Sequence, residues 1–168
     1  LEQYFGWVCG YGSTMGPGGE KRELFRCTQE QITSKPREIT RRAQARIFQR
    51  TSSRHGLQCV WQADANIPHD HILDGWRLCK KRLGPPNFPR IDEIGTAGGV
   101  PYVVMEWVEG VNPTKWDDYQ AIDILHQLSL KGIQHRDIRI RDILVRPTGE
   151  WCLLDFGWAQ DAANPYFA

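Results

Sequence analysis

Three aspartates gathered around one short hairpin constrain this chain more than any other feature. Residues 133–159 read I-Q-H-R-D-I-R-I-R-D-I-L-V-R-P-T-G-E-W-C-L-L-D-F-G-W-A. Two apolar runs of strand length, Ile143-Leu144-Val145 and Trp151-Cys152-Leu153-Leu154, flank the turn signal Pro147-Thr148-Gly149. That pattern predicts a β-hairpin. The hairpin brings Asp137 and Asp142, on its leading side, close to Asp155 on its trailing side. Carboxylates crowded together lose hydration and repel, so they build a poor core. The same three at hairpin ends suit a hard cation that takes oxygen ligands.

On these residues the chain resembles the protein-kinase-like superfamily, whose catalytic loop reads H-R-D-L-x-x-x-N and whose metal loop reads D-F-G. Here the strings are His135-Arg136-Asp137-Ile138-Arg139-Ile140-Arg141-Asp142 and Asp155-Phe156-Gly157, in that order and at the family's separation. Asp142 stands where the family has asparagine. Aspartate is still an oxygen ligand, with one more negative charge. The resemblance implies an α+β, protein-kinase-like fold: an N-lobe of antiparallel sheet with one αC-type helix, and a truncated or minimal helical C-lobe. Only 11 residues follow Gly157, and the first residue is Leu, so the expectation is a trimmed or minimal form. The implied organisation is a linker or N-terminal extension over 1–33, a sheet and helix over 34–110, and a partial C-lobe over 111–168.

The resemblance also implies roles for individual residues. Asp137 accepts or orients the proton of an attacking hydroxyl, and Arg139 steadies the transferring phosphate. Asp142 and Asp155 hold Mg²⁺. The string Pro101 to Gly110 is similar to the family's fifth strand running into its hinge. It implies Met105 behind the adenine, hydrogen bonds from the backbone of Glu106 and Val108, and Leu144 packed beneath the base. Gln62 falls where the family's strand lysine should be, and glutamine cannot neutralise phosphate charge. Arg50 or Lys80 could substitute, and Asp70 or Asp74 could take the place of the helix acid. His135 is expected to be a structural hydrogen-bonding residue.

The implied function is ATP- and Mg²⁺-dependent phosphoryl transfer to a hydroxyl of a protein, sugar or other small molecule. The phrasing of the two motifs is similar to that of atypical bacterial-type small-molecule or saccharide kinases. The alternative is a catalytically impaired, pseudokinase-type domain that binds a nucleotide or partner as a regulator. Gln62, Asp142 and an indistinct phosphate loop favour that alternative.

Elsewhere the sequence is less specific. Gly10-Tyr11-Gly12-Ser13-Thr14-Met15-Gly16 departs from G-x-G-x-x-G by one place and reads as linker. Lys35 to Arg54 is rich in arginine, with apolar residues at both helical and alternating spacing, so helix and strand both remain open there. A net charge of +1 and a single aromatic, Phe48, within it make this run a solvated face and disfavour nucleic acid as a partner. Leu57–Ala63 reads as a strand. Ile72, Leu73, Trp76, Cys79 and Leu83 form a helical stripe that stops at Gly84-Pro85-Pro86. Residues 90–108 read as a hairpin turning at Gly98-Gly99. In 117–130, Ile122, Leu125 and Leu128 predict a supporting helix that ends before Gly132. Five cysteines without C-x-x-C spacing read as reduced thiols, and with no signal-peptide pattern the expected compartment is the cytoplasm. No apolar run approaches the ~20 residues needed to span a bilayer.

Overall fold

The computed structural model describes residues 37–42, 45–63 and 72–163. These fall into two compact units, Leu1–Ile67 with Gly95–Trp107 and Pro68–Ile94 with Val108–Ala168. The glycine-rich string at 10–16, Lys35 and Asp70 lie outside the described residues.

Strands dominate the first unit. β1 (Arg37–Arg42), β2 (Ala45–Ser52), β3 (Gly56–Ala63), β4 (Ile91–Ala97) and β5 (Val100–Glu106) form one sheet in the order β1-β2-β3-β5-β4. The arginine-rich run is therefore strand over its described residues, and the alternating buried positions are Phe48, Arg50 and Ser52. The turn at Ser53-Arg54-His55 is closed by Ser52 Oγ, which accepts from the His55 N–H at 2.9 Å. Gly56 follows at φ +69°, a conformation that costs a residue without a Cβ little. β2 and β3 then pair antiparallel from Ser52↔Gly56 to Ala45↔Ala63. β4 and β5 meet at Gly98 and Gly99, both at positive φ (58° and 80°), as a tight hairpin turn requires. Phe48, Val60, Ala97, Tyr102 and Val104 make a buried apolar cluster in this unit.

The second unit holds both α-helices of the described residues. Helix α1 spans Ile72–Arg82 and buries Leu73, Gly75, Trp76 and Cys79. Its last turn carries Lys80, Lys81 and Arg82, which suits the negative end of the helix dipole. Arg82 bonds Asp161 at 2.6 Å and the Lys131 carbonyl at 3.2 Å. Helix α2 spans Asp118–Leu130 and is capped by Asp117, whose carboxylate accepts from the Tyr119 and Gln120 amides. It buries Ala121, Ile124 and Leu128, whereas Ile122 and Leu125 are exposed. Only Leu128 of the expected stripe faces inward. Two apolar stripes overlap in this sequence, and Gln120 selects between them by bonding the Gly149 carbonyl and the Trp151 amide.

The hairpin expected around Pro147-Thr148-Gly149 is β6 (Ile143–Val145) paired antiparallel with β7 (Trp151–Leu153), in the register Ile143↔Leu153, Leu144↔Cys152, Val145↔Trp151. Asn87 ties it down, donating to the Trp151 carbonyl at 2.8 Å and accepting from the Leu153 amide at 2.8 Å.

An α+β architecture is what forms, but the protein-kinase-like pair of lobes is not. The described residues carry two α-helices against seven strands, with the pairs resolved in the sheet antiparallel. That is too small and too strand-rich for a sheet lobe joined to a helical lobe. A helical lobe needs helices that cover one another, and here Tyr119, Ile122, Leu125 and Leu130 of α2 stay largely exposed. The two units are not continuous in sequence, because α1 and the start of β4 belong to the second. No helix of the described residues is long and apolar enough to cross a membrane.

Candidate metal centre

The hairpin does what its sequence predicts for the acidic residues. Asp137, Asp142 and Asp155 each place a carboxylate oxygen within 4.8 Å of the other two. All three belong to the second unit. Asp142 is buried, and the other two are partly exposed. Its position is fixed through the backbone. The Asp142 N–H donates to the Arg139 carbonyl at 2.9 Å, and its own carbonyl accepts from the Leu154 N–H at 2.8 Å. The second bond ties one acidic residue to the neighbour of another.

Backbone strain concentrates at the same place. Arg136 (φ 73°) and Asp155 (φ 63°) are the non-glycine residues at positive φ among those described. Left-handed backbone is uncommon for residues with a Cβ and gathers at functional sites. Asp155 steadies its turn by accepting the Gly157 N–H at 3.3 Å. Phe156, fully buried, anchors the turn from behind. Its ring lies 6.0 Å from Trp76, 6.0 Å from Phe88 and 4.9 Å edge-on from His135.

His135 is itself buried and accepts the Asp137 N–H on Nδ1 at 3.2 Å, which assigns its proton to Nε2. Burial holds its pKa below the usual histidine value, opposed by Asp155, the backbone of Leu154 and Asp155, and Asp137. A neutral, structural imidazole results. Arg139 meets Asp137 Oδ1 through both Nε and Nη2 at 2.6 Å. The guanidinium expected to steady a phosphate is thus already seated on the carboxylate expected to take a proton.

The residues expected around a nucleotide divide between the units. In the first, Met105 pairs with Cys59 and Gln62 with Tyr102. Side chains alternate along a strand, so Met105 shares its face with Cys59 and Trp61 while Gln62 projects from the other. The two are not brought together. Gln62 is fully buried, and neither of its amide atoms has a hydrogen-bond partner among the described residues. Glu106 pairs with Gln58 on the Gln62 face. Arg50 is engaged, donating from Nε to Gln58 at 2.8 Å. In the second unit, Val108 is buried and Leu144 half-buried on β6. Lys80 donates to the Asp92 carbonyl, and Asp74 pairs with Arg77 at 2.9 Å.

One contributor escapes the motif reading. Asn112 directs its amide at the carbonyls of Ile140, Arg141 and Ile143, the turn that carries Asp142. Its sequence signal is the dipeptide Asn112-Pro113, a turn marker with no chemistry of its own. A scan against protein-family models finds none that matches this chain.

Proposed function

We propose that the chain is a Mg²⁺-dependent phosphotransferase that moves a phosphoryl group from ATP to a hydroxyl acceptor. The observation that carries this reading is the convergence of the Asp137, Asp142 and Asp155 oxygens within 4.8 Å. Adjacent oxygens around a Mg²⁺ held at ~2.1 Å stand about 3 Å apart, and opposite ones about 4.2 Å. The donor set fits, because all three groups are hard carboxylate oxygens and small side-chain rotations close the gap. The two strained residues at the same loops are a second support.

Asp142 and Asp155 would hold the cation, which when bound offsets the negative charge of the phosphates. Asp137 takes the proton of the acceptor hydroxyl. Arg139 holds Asp137 through Oδ1, so Oδ2 is the atom assigned to the proton. The remaining guanidinium donors of Arg139 would meet a phosphate oxygen. Buried, neutral His135 holds the Asp137 amide and takes no proton. Val108 and Leu144, which share the second unit with the three aspartates, would meet ATP, and Gln62 is left as a structural residue. Cys59, Cys79 and Cys152, none of them in a disulfide, go with a reducing, cytoplasmic setting, where ATP is abundant.

The second reading, nucleotide or partner binding without transfer, draws on Gln62. It supplies no positive charge and faces away from Met105. Terminally labelled ATP with a panel of sugar, small-molecule and protein acceptors separates the two. Transfer that needs Mg²⁺ and falls at least a hundredfold in Asp137→Asn supports transfer, since a general base is worth roughly 10²–10⁴. Binding of ATP–Mg²⁺ without transfer selects the second reading. Neither binding nor transfer sinks both.

A further inference from the structure

We propose that Asn112 is a positioning residue for the carboxylate triad, acting through the turn at 140–142. The inference rests on the cation-binding reading above and names a residue that the motifs do not contain. Asn112 Nδ2 lies 2.8 Å from the Ile143 carbonyl, 3.1 Å from that of Arg141 and 3.3 Å from that of Ile140. Three carbonyl oxygens converging on one nitrogen would repel one another without a donor between them. The carboxamide fills that gap with two N–H groups and no charge.

The segment carrying Asn112 is latched to the hairpin just beside it. Val145 donates to the Val111 carbonyl at 2.7 Å, and Val111 returns the bond at 3.3 Å. Gly110 allows this close approach, since a Cβ there would collide with the Val145 carbonyl. From the turn, the path to the site is short. Asp142 is within it, and the Asp142 carbonyl holds the Leu154 amide, one residue before Asp155. A single side chain therefore pins the backbone that sets the spacing of two of the three carboxylates. Orienting groups behind ligands commonly matter to metal affinity by 10–100-fold.

Asparagine at this place has a sign that electrostatics alone does not share. In Asn112→Asp, an added negative charge near the triad would attract a cation more strongly. A carboxylate facing three carbonyls, however, would push the turn apart. Positioning thus predicts weaker binding from the more acidic variant.

The test is Mn²⁺ binding, followed by the spin-resonance signal of the free ion, alongside thermal melts of the same samples. The proteins are the full chain, Asn112→Ala, Asn112→Asp, Asp155→Asn and Gln120→Ala. Gln120 braces the same hairpin at its other end through the Gly149 carbonyl and the Trp151 amide. Its loss should lower the melting temperature and leave Mn²⁺ affinity unchanged. Asn112→Ala should weaken Mn²⁺ roughly ten- to a hundredfold, and Asn112→Asp at least as much. Unchanged affinity in Asn112→Ala, tighter binding in Asn112→Asp, or an equal loss in Gln120→Ala overturns the positioning role alone. Equal Mn²⁺ binding by the unmodified chain and Asp155→Asn overturns the cation site itself, and the positioning role with it.

Discussion

Asp155→Asn should make the cation-free protein more stable and the cation-loaded protein less so. The substitution is close to isosteric, and asparagine tolerates the left-handed backbone at residue 155 (φ 63°). Its side-chain oxygen can still accept the Gly157 N–H, 3.3 Å away in the native chain. What changes is charge. With carboxylate oxygens no more than 4.8 Å apart, each repulsive pair is worth at least about 0.9 kcal/mol under water-like screening and about 3.5 kcal/mol at an effective dielectric of 20. Neutralising Asp155 removes two of the three pairs. Asp137 and Asp155 are partly exposed, so the lower end applies, and the gain is about 2 kcal/mol. For a chain of this size that raises the melting temperature by roughly 4–8 °C. Mg²⁺ at a hundred times its Kd should stabilise the native protein by about 2.7 kcal/mol, or roughly 5–11 °C. The variant should lose most of that shift. Calorimetry of both proteins in EDTA and across a Mg²⁺ titration reads both signs. A variant that melts at or below the native temperature in EDTA, or that keeps the full Mg²⁺ shift, would refute the reasoning.

Three further outcomes follow from the same packing. Burial depresses the His135 pKa below its ordinary 6.5, so the unfolded chain binds the more protons in that range. Stability then falls as pH drops below about 6.5 toward the folded pKa, at no more than about 1.4 kcal/mol per pH unit, and urea melts of His135→Gln should show a flatter pH dependence. Phe156→Ala empties the space between Trp76, Phe88 and His135 and should cost about 3–5 kcal/mol in the same melts, a loss well below that being evidence against the aromatic anchor. Burial, with a smaller effect of Cys152, raises the Cys79 thiol pKa well above its usual range. Alkylation mapped by mass spectrometry should therefore label half-buried Cys59 in the native protein and Cys79 only after unfolding.

The hairpin at 143–153 was legible because each of its signals is local, with apolar runs of strand length on either side of a Pro-Thr-Gly turn. The triad followed from it, since a hairpin's register fixes what meets at its open end. Gly98-Gly99 and Asp117 were equally plain, because turn and cap chemistry is written in adjacent residues. Gln62 was different. Its neighbours depend on pairing with β5, and a shift of one place changes the face of every side chain. The buried side of α2 was ambiguous for a related reason. Apolar residues at 121, 122, 124, 125 and 128 satisfy two stripes, and a tertiary hydrogen bond from Gln120 decides between them. The lobe pair failed on a larger scale, since motifs thirteen residues apart (Asp142 to Asp155) describe a loop and its partner strand and say nothing about how many helices accompany them. Asn112 could not have been found by pattern, because its importance lies in three carbonyls that no sequence displays.

Gly75 leaves the last lesson. In mid-helix it lies where any Cβ would strike the Phe156 carbonyl, with the Ala159 carbonyl and amide about as close as a real Cβ contact tolerates, at 3.0 and 3.1 Å. One hydrogen atom thus keys α1 to the Phe156–Gly157 peptide, one residue beyond Asp155. Were the helix to slip or turn by a single residue, Asp74 or Trp76 would have to occupy a space that cannot take a methyl group. The phase of a whole helix is thereby indexed to one acidic turn, like a bolt that closes in only one orientation.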